Sequence, residues 1–308
     1  MSFHFSRMRS ENYFQFRDRV AAKKNIVVTG SSGQVGSELR GIWHPDSALG
    51  TVFLDRKELD LSMPESVRPV LDAIRPDLII HCGAFTAVDQ AETETDLANR
   101  VNHLSTLEIA KYAGENGCKL LYISTDYVFP GDVDQALEED YPTGPVNVYG
   151  QTKLWGEQAI GKHCPSAIII RTSWVYSTYG KNFVKTMLDL MKSRDEISVV
   201  SDQIGSPTYA RDLAELIGHV AKPGNWVPGT YHYSNEGRTS WYGFALMIRE
   251  ASGLNCKVNP IPSSKYPTPA ERPLFSLLSK EKVKRTFGVT VPEWEVSLGR
   301  MLKDLSGR

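Results

Sequence analysis

The sequence predicts an α/β fold: a doubly wound parallel sheet of Rossmann type, with helices on both faces. Three features carry this prediction. Ile26-Val27-Val28-Thr29, Leu78-Ile79-Ile80 and Ala167–Arg171 are short, nearly unbroken apolar runs, the pattern of strands buried on both faces. Segments with apolar residues at helical spacing lie between such runs, so strand and helix alternate. A glycine-rich turn, Gly30-Ser31-Ser32-Gly33, follows the first strand directly.

The elements follow in order. Gly30 ends the first strand, and Gln34–Ile42 reads as a helix. Thr51–Leu54 is a second strand. Pro64–Ile74 is helical, its proline suited to a first turn. Leu78–Ile80 is a strand closed by Gly83, and Leu97–Asn116 a long helix ended by Gly117. Lys119–Ser124, the helix Tyr149–Lys162 and the strand Ala167–Arg171 complete the regular part. After Trp174 the pattern loosens. Phe183–Met191, Tyr209–Ala221 and Leu298–Leu305 read as helices, Ile197–Val200 as a strand, and Gly229–Ser234 as a strand returning to the main sheet. Residues 260–273, rich in proline and serine, read as a loop. The expected organisation is an extension outside the fold (1–24), a dinucleotide-binding domain (25–173 with about 207–235), and a smaller C-terminal substrate-binding lobe (about 174–206 and 236–308).

With 308 residues, 41% of them hydrophobic, the chain can bury a sizeable core. A formal net charge of −1 with interspersed signs argues against a nucleic-acid partner. No stretch is long and apolar enough to suggest a membrane span. Cys82, Cys118, Cys164 and Cys256 are widely spaced, which points to free thiols in a reduced, cytoplasmic setting and to no metal site. Residues 1–24 carry six basic and two acidic residues without the apolar core of a secretory signal.

Gly30, Gly33 and Gly36 permit a tight turn and a close approach to a pyrophosphate at the start of a helix, whose free N–H groups favour an anion. The spacing is GxxGxxG, which points to dinucleotide binding. Asp55-Arg56 ends the second strand, where the adenosine ribose of a dinucleotide lies. The carboxylate suits a free 2′-hydroxyl, and the guanidinium a 2′-phosphate, so NADH and NADPH both stand. Asp60 and Leu61 follow as candidate adenine contacts. Cys82-Gly83-Ala84 forms a small-residue turn under the cofactor.

Tyr149 and Lys153 are four residues apart at the start of a helix and therefore share a face. A free tyrosine titrates near 10. The expectation is that the Lys153 ammonium lowers this value, so that Tyr149 passes a proton to a substrate oxygen as hydride reaches carbon. The preceding strand ends in Ser124-Thr125, whose hydroxyl can hold a carbonyl. Asn102, in the helix before it, is a candidate for ordering a water beside the lysine. Arg171 reads as structural.

The segments VTGSSGQVGSEL, AFTAVDQAE, YISTDYVFPG, PVNVYGQTKLWGE, RTSWVY, DQIGSPT and YPTPAERP run in order from about Asn25 to the C-terminal region. On these the chain resembles the extended short-chain dehydrogenase/reductases and, among them, the dTDP-4-dehydrorhamnose reductase family. The resemblance implies catalysis by Tyr149, Lys153 and Thr125. It implies a cofactor, NADPH or NADH, lined by Gly33, Gln34, Val35, Asp55, Asp60, Leu61, Ala84, Phe85 and Thr86. Asp126 and Trp174 would contact the sugar. The implied reaction reduces the C4 ketone of dTDP-4-dehydro-L-rhamnose, by a monomer or homodimer.

Departures are His81-Cys82-Gly83, where asparagine and small residues are common, and the N-terminal extension. Some relatives bind Mg²⁺ at a dimer interface. Glu38 and Asp304 fall at two such positions, but Arg211 stands where a third acid would be, so no metal is expected. A 4,6-dehydratase would need Glu where Tyr127 stands. A GDP-fucose synthase would need a cysteine just after the catalytic hydroxyl, a stretch held here by Asp126 and Tyr127. The rival of another class is a non-catalytic nucleotide-binding subunit, resembling the regulatory subunit of methionine adenosyltransferase.

Overall fold

The computed structural model describes residues 25–43 and 50–307. The extension expected at 1–24 lies outside them.

The regular half runs β1 (Asn25–Thr29), α1 (Gln34–Ile42), β2 (Gly50–Leu54), a 3-10 turn (Pro64–Ser66) leading into α2 (Val67–Ile74), then β3 (Leu78–His81). Thr95–Asn99, a π-helical segment Arg100–Leu104 and Ser105–Asn116 form one continuous helix, α3. It is followed by β4 (Lys119–Thr125), α4 (Val148–His163) and β5 (Ile168–Thr172). The second half contains β6 (Val175–Tyr176), α5 (Phe183–Ser193), β7 (Glu196–Val200), β8 (Ile204–Gly205), β9 (Thr208–Tyr209), α6 (Ala210–Val220), β10 (Gly229–His232) and β11 (Thr239–Ser240). It ends with α7 (Trp241–Ala251), β12 (Lys257–Ile261), α8 (Glu281–Phe287) and α9 (Trp294–Ser306).

Six parallel strands form the main sheet in the order β10-β5-β4-β3-β1-β2. Val28 sits between Phe53 of β2 and Ile80 of β3, and β10 returns beside β5 with Tyr231 opposite Ile170. Successive side chains of a strand point to opposite faces. Ile26 and Val28 therefore pack with Leu39 of α1 and with Leu213 and Ile217 of α6. Val27, Ile79 and Leu120 pack on the other face with Leu71, Ile109 and Ile160 of α2, α3 and α4. Strand order reverses direction between β1 and β3, and a crevice opens there beyond the carboxyl ends of the strands.

A separate core joins Tyr176, Leu188 of α5, Phe244 and Ile248 of α7, and Trp294 and Leu298 of α9. Helix α7 is not evident from the sequence pattern, because aromatic residues and a glycine at its start are weak helix formers. Its start is fixed instead by Ser240, whose side chain accepts from the Gly243 N–H. The expected loop also begins later than residue 260. Pro260 and Ile261 extend β12, which pairs only with β7 in a two-stranded sheet, so the missing proline N–H leaves no ladder bond unmade. All four cysteines are free. No helix among the described residues is long and apolar enough to cross a membrane.

Candidate active site

The glycine turn is shaped by close backbone contact. Gly30 has φ +66°, and a Cβ on it would lie 2.5 Å from Gly83, so the turns after β1 and β3 touch. A Cβ on Gly36 would meet Gly30 O at 2.5 Å, which lets α1 pack tightly on its own turn. Gly33 differs: the only neighbour of its Cβ position is Gly30 O at 3.2 Å. Gly33, at the N-cap of α1, gives no side-chain cap, and the helix has no acidic residue in its first turn. Its first N–H groups are thus left for an anion, and this cradle fits the diphosphate of a dinucleotide.

At the end of β2, the backbone N–H of Lys57 donates to the Asp55 carboxylate at 2.7 Å and holds it below the usual carboxylate range. Arg56 is exposed and lies 3.7 Å from Asp60, which itself accepts from Ser62. These groups sit at the edge of the crevice, where an adenosine ribose would reach.

Tyr149 lies in the first turn of α4. Asn147 caps that helix by accepting from the Gly150 N–H at 2.8 Å, and Glu92 accepts from the Val148 N–H at 2.9 Å. The Tyr149 ring meets Tyr127 edge-on, with centroids 5.7 Å apart. One turn on, buried Lys153 donates to Ile123 O at 2.7 Å and lies 4.0 Å from the Tyr122 ring centroid. Thr125 donates to Asp126 Oδ1 at 3.1 Å, while buried Asp126 Oδ2 makes no hydrogen bond of normal geometry among the described residues, although the Ser276 hydroxyl lies near enough to favour the carboxylate.

Electrostatics here differ from the expectation that an ammonium makes the phenol more acidic. Burial pushes Tyr149 up to about 12, against the Thr125 hydroxyl, and pulls Lys153 down to about 7, against Glu157. Desolvation disfavours the charged form of each group and outweighs their partners. Burial likewise raises Asp126 to about 6 and Cys82 to about 12, leaving that thiol inert. His81 is buried between Thr29 Oγ1 (2.7 Å) and Thr106 Oγ1 (3.0 Å), and burial lowers it to about 3, so it is a neutral packing group beneath the crevice.

The Asn102 side chain is engaged through both its oxygen and its nitrogen. It accepts from the Phe85 N–H and donates to Phe85 O and Thr152 Oγ1, clamping the turn after β3 to α4. Arg171 pairs with buried Glu157 at 2.7 Å, behind Lys153. Trp174 has φ +48°, a rare conformation for a bulky residue, and is stacked on Trp241 at 3.7 Å. Glu38 accepts from Ser177, and Asp304 accepts from Tyr209 and lies 3.8 Å from Arg211. Among the described residues no group of three or more His, Cys, Asp or Glu is gathered to hold a metal.

The glycine turn and the Tyr149–Lys153 end of α4 open on one cleft of about 730 Å³. Of the residues expected at the site, Gly30, Gly33, Gln34, Val35, Gly36, Asp55, Arg56, Asp60, Leu61, Ala84, Phe85, Thr86, Thr125, Asp126, Tyr149, Lys153 and Trp174 all line it. Sequence reasoning missed Val88, Tyr127, Lys181, Asn182 and Trp241, which also line it. Asn182 carries a readable signal, since an asparagine two residues after Gly180 and just before an apolar helix is a preferred N-cap.

The family profile described as "RmlD substrate binding domain" matches residues 24–306. The dTDP-4-dehydrorhamnose reductase of Escherichia coli K12 is 43% identical over 293 residues, covering 91% of this chain and 98% of that protein. A crystal structure of dTDP-4-dehydrorhamnose reductase from Bacillus anthracis, in complex with NADP, superposes with a TM-score of 0.88 at 40% identity, covering 92% of this chain and all of that one. The corresponding structure from Clostridium acetobutylicum gives 0.87 at 36% identity, over 92% of this chain and 99% of that one. With identity at this level sustained over nine-tenths of its length, this chain belongs to the dTDP-4-dehydrorhamnose reductase family.

Proposed function

We propose that this chain reduces the C4 ketone of dTDP-4-dehydro-L-rhamnose to dTDP-L-rhamnose, with NADPH as donor and NADH as the alternative. One observation carries the reading: Thr125, Tyr149 and Lys153 line the same cleft as the glycine turn at the start of α1. Family membership supplies the substrate, and the Bacillus anthracis structure holds NADP.

Gly30, Gly33 and the α1 N-terminus would hold the dinucleotide's diphosphate, with Asp55 and Arg56 at its ribose. The bound nicotinamide supplies hydride to the C4 carbon. Thr125 and Tyr149 orient the ketone oxygen. A phenol pushed up to about 12 keeps its proton at neutral pH, the form a proton donor needs. As the C=O bond becomes C–OH, that proton passes to the oxygen. Lys153, one helical turn on and lining the same cleft, would return a proton to the phenolate, since a value near 7 lets it carry one at neutral pH. Asp126, whose buried Oδ2 makes no hydrogen bond of normal geometry among the described residues, would accept from a sugar hydroxyl. Trp174, held against Trp241, would form an apolar wall for the ring. We assign the core built from α5, α7 and α9 to the substrate-binding lobe, and residues 25–173 with 207–235 to the cofactor domain.

The test is loss of NADPH absorbance with dTDP-, UDP- and GDP-linked 4-keto-sugars. Turnover of the dTDP-linked ketone supports the reading. Dinucleotide binding without turnover of any of them supports a non-catalytic subunit instead.

A further inference from the structure

We propose that Lys181 binds the diphosphate of the dinucleotide, a role that rests on the reductase reading above. The turn Gly30–Gly36 contains no lysine or arginine. The α1 N-terminus offers a diphosphate only a partial positive charge. Arg40, nearby in sequence, is turned to Ser31 Oγ (3.0 Å) and the Phe53 ring (4.8 Å).

The ionisable Lys, Arg and Asp residues lining the cleft are even in number. Arg56, Lys153 and Lys181 face Asp55, Asp60 and Asp126. A dinucleotide and a nucleotide sugar each bring a diphosphate, so the filled cleft is strongly negative unless a cation is available. Arg56 already lies 3.7 Å from Asp60, and Lys153 donates to Ile123 O. Among the described residues, no hydrogen bond or ion pair engages the Lys181 ammonium.

The loop that carries Lys181 is fixed against the anion cradle. Asn182 Nδ2 donates to Gln34 Oε1 at 3.0 Å and to Ser177 O at 2.6 Å. Gln34, the first residue of α1, donates to Val175 O at 3.1 Å. Gly180 has φ +63°, and a Cβ on it would stand 3.4 Å from Gln34 Cγ. Lys185 Nζ donates to Gly180 O at 2.8 Å and holds the turn from the other side. Lys181 is thus a cation with no partner among the described residues, on a pinned loop beside the first turn of the phosphate-facing helix. The backbone that carries it is ordered before an anion arrives, which leaves only the side chain's rotamers to be fixed on binding.

The sugar nucleotide's diphosphate has the same chemistry, so the test has two ligand arms. Titrate NADP⁺, NAD⁺ and dTDP into the full-length protein and into Lys181→Gln and Lys181→Arg. The expected result is that Lys181→Gln weakens NADP⁺ and NAD⁺ by the same factor, roughly fivefold at low salt and less as salt is raised. Lys181→Arg should stay near the parent, and dTDP should be unaffected. Unchanged binding of both dinucleotides in Lys181→Gln, or a loss seen only with dTDP, overturns the proposal. Failure of the parent protein to bind either dinucleotide overturns instead the reading on which it rests.

Discussion

Lys153 Nζ donates to the carbonyl oxygen of Ile123 at 2.7 Å, which anchors the lysine of α4 to the β4 backbone two residues before Thr125. The bond fixes the ammonium at the strand end while burial pulls it from its ordinary 10.5 down to about 7. Two opposite pH trends follow. Activity that needs the ammonium should fall as pH rises through about 7. Between about 7 and 10.5 the unfolded chain binds this proton and the native chain does not, so the Lys153 contribution makes stability rise across that window. In Lys153→Met the rise should vanish and kcat should collapse. Urea midpoints and kcat/KM profiles measured over the same pH series check both. A parent profile flat from pH 6 to 9 would count against this role.

Asn147 joins two parts of the site. Its Oδ1 caps α4 just ahead of Tyr149, and its Nδ2 donates to Glu271 O at 2.8 Å. The same loop is tied down by Arg272, which pairs with Asp89 at 2.7 Å. Asn147→Ala should cost about 1 kcal/mol of stability through the lost cap. It should also lower kcat with little change in dinucleotide affinity, because the phenol loses its fixed place while the glycine turn does not. Thermal unfolding, steady-state kinetics and NADPH titration separate these effects.

Glu157 and Arg171 are both buried and bonded to each other, and Glu157 also accepts from Ser124. Removing one partner leaves a buried charge alone, so Glu157→Ala should destabilise by about 3–5 kcal/mol. The double variant Glu157→Met/Arg171→Met should lose much less. Urea midpoints of the three proteins give the comparison, and equal losses in single and double variants would refute it.

Arg56 is exposed, with Asp60 as a distant partner at 3.7 Å. Arg56→Ala should weaken NADPH by roughly fivefold, about 1 kcal/mol, and leave NADH nearly unchanged, since only NADPH carries the 2′-phosphate. Parallel titrations with the two cofactors measure it. Equal weakening would assign Arg56 to a part that both share.

The sheet was legible because burial on both faces leaves unbroken apolar runs, and β1, β3 and β5 read directly. The glycine turn was legible because its geometry demands residues without Cβ, as the contact between Gly30 and Gly83 shows. Tyr149 and Lys153 were legible because spacing on a helix fixes their shared face. Their proton affinities were not, since desolvation depends on neighbours distant in sequence. Lys181, Asn182 and Trp241 were missed for a related reason. They reach the cleft through chain packing in the second half, where short strands and aromatic-rich helix starts blur the periodicity. The π-helical segment Arg100–Leu104 in α3 left no mark in the apolar pattern, yet it sets Asn102 against Phe85 and Thr152.

The central claim is that the Tyr149 phenol gives its proton to the C4 oxygen of a dTDP-linked keto-sugar. The most direct measurement follows NADPH consumption with dTDP-4-dehydro-L-rhamnose in the parent and in Tyr149→Phe, with NADPH affinity measured in both. The account predicts turnover by the parent, a fall of roughly 10²- to 10⁴-fold in kcat for the variant, and unchanged NADPH affinity. Equal turnover by the two proteins, or none by the parent despite tight NADPH binding, would contradict it.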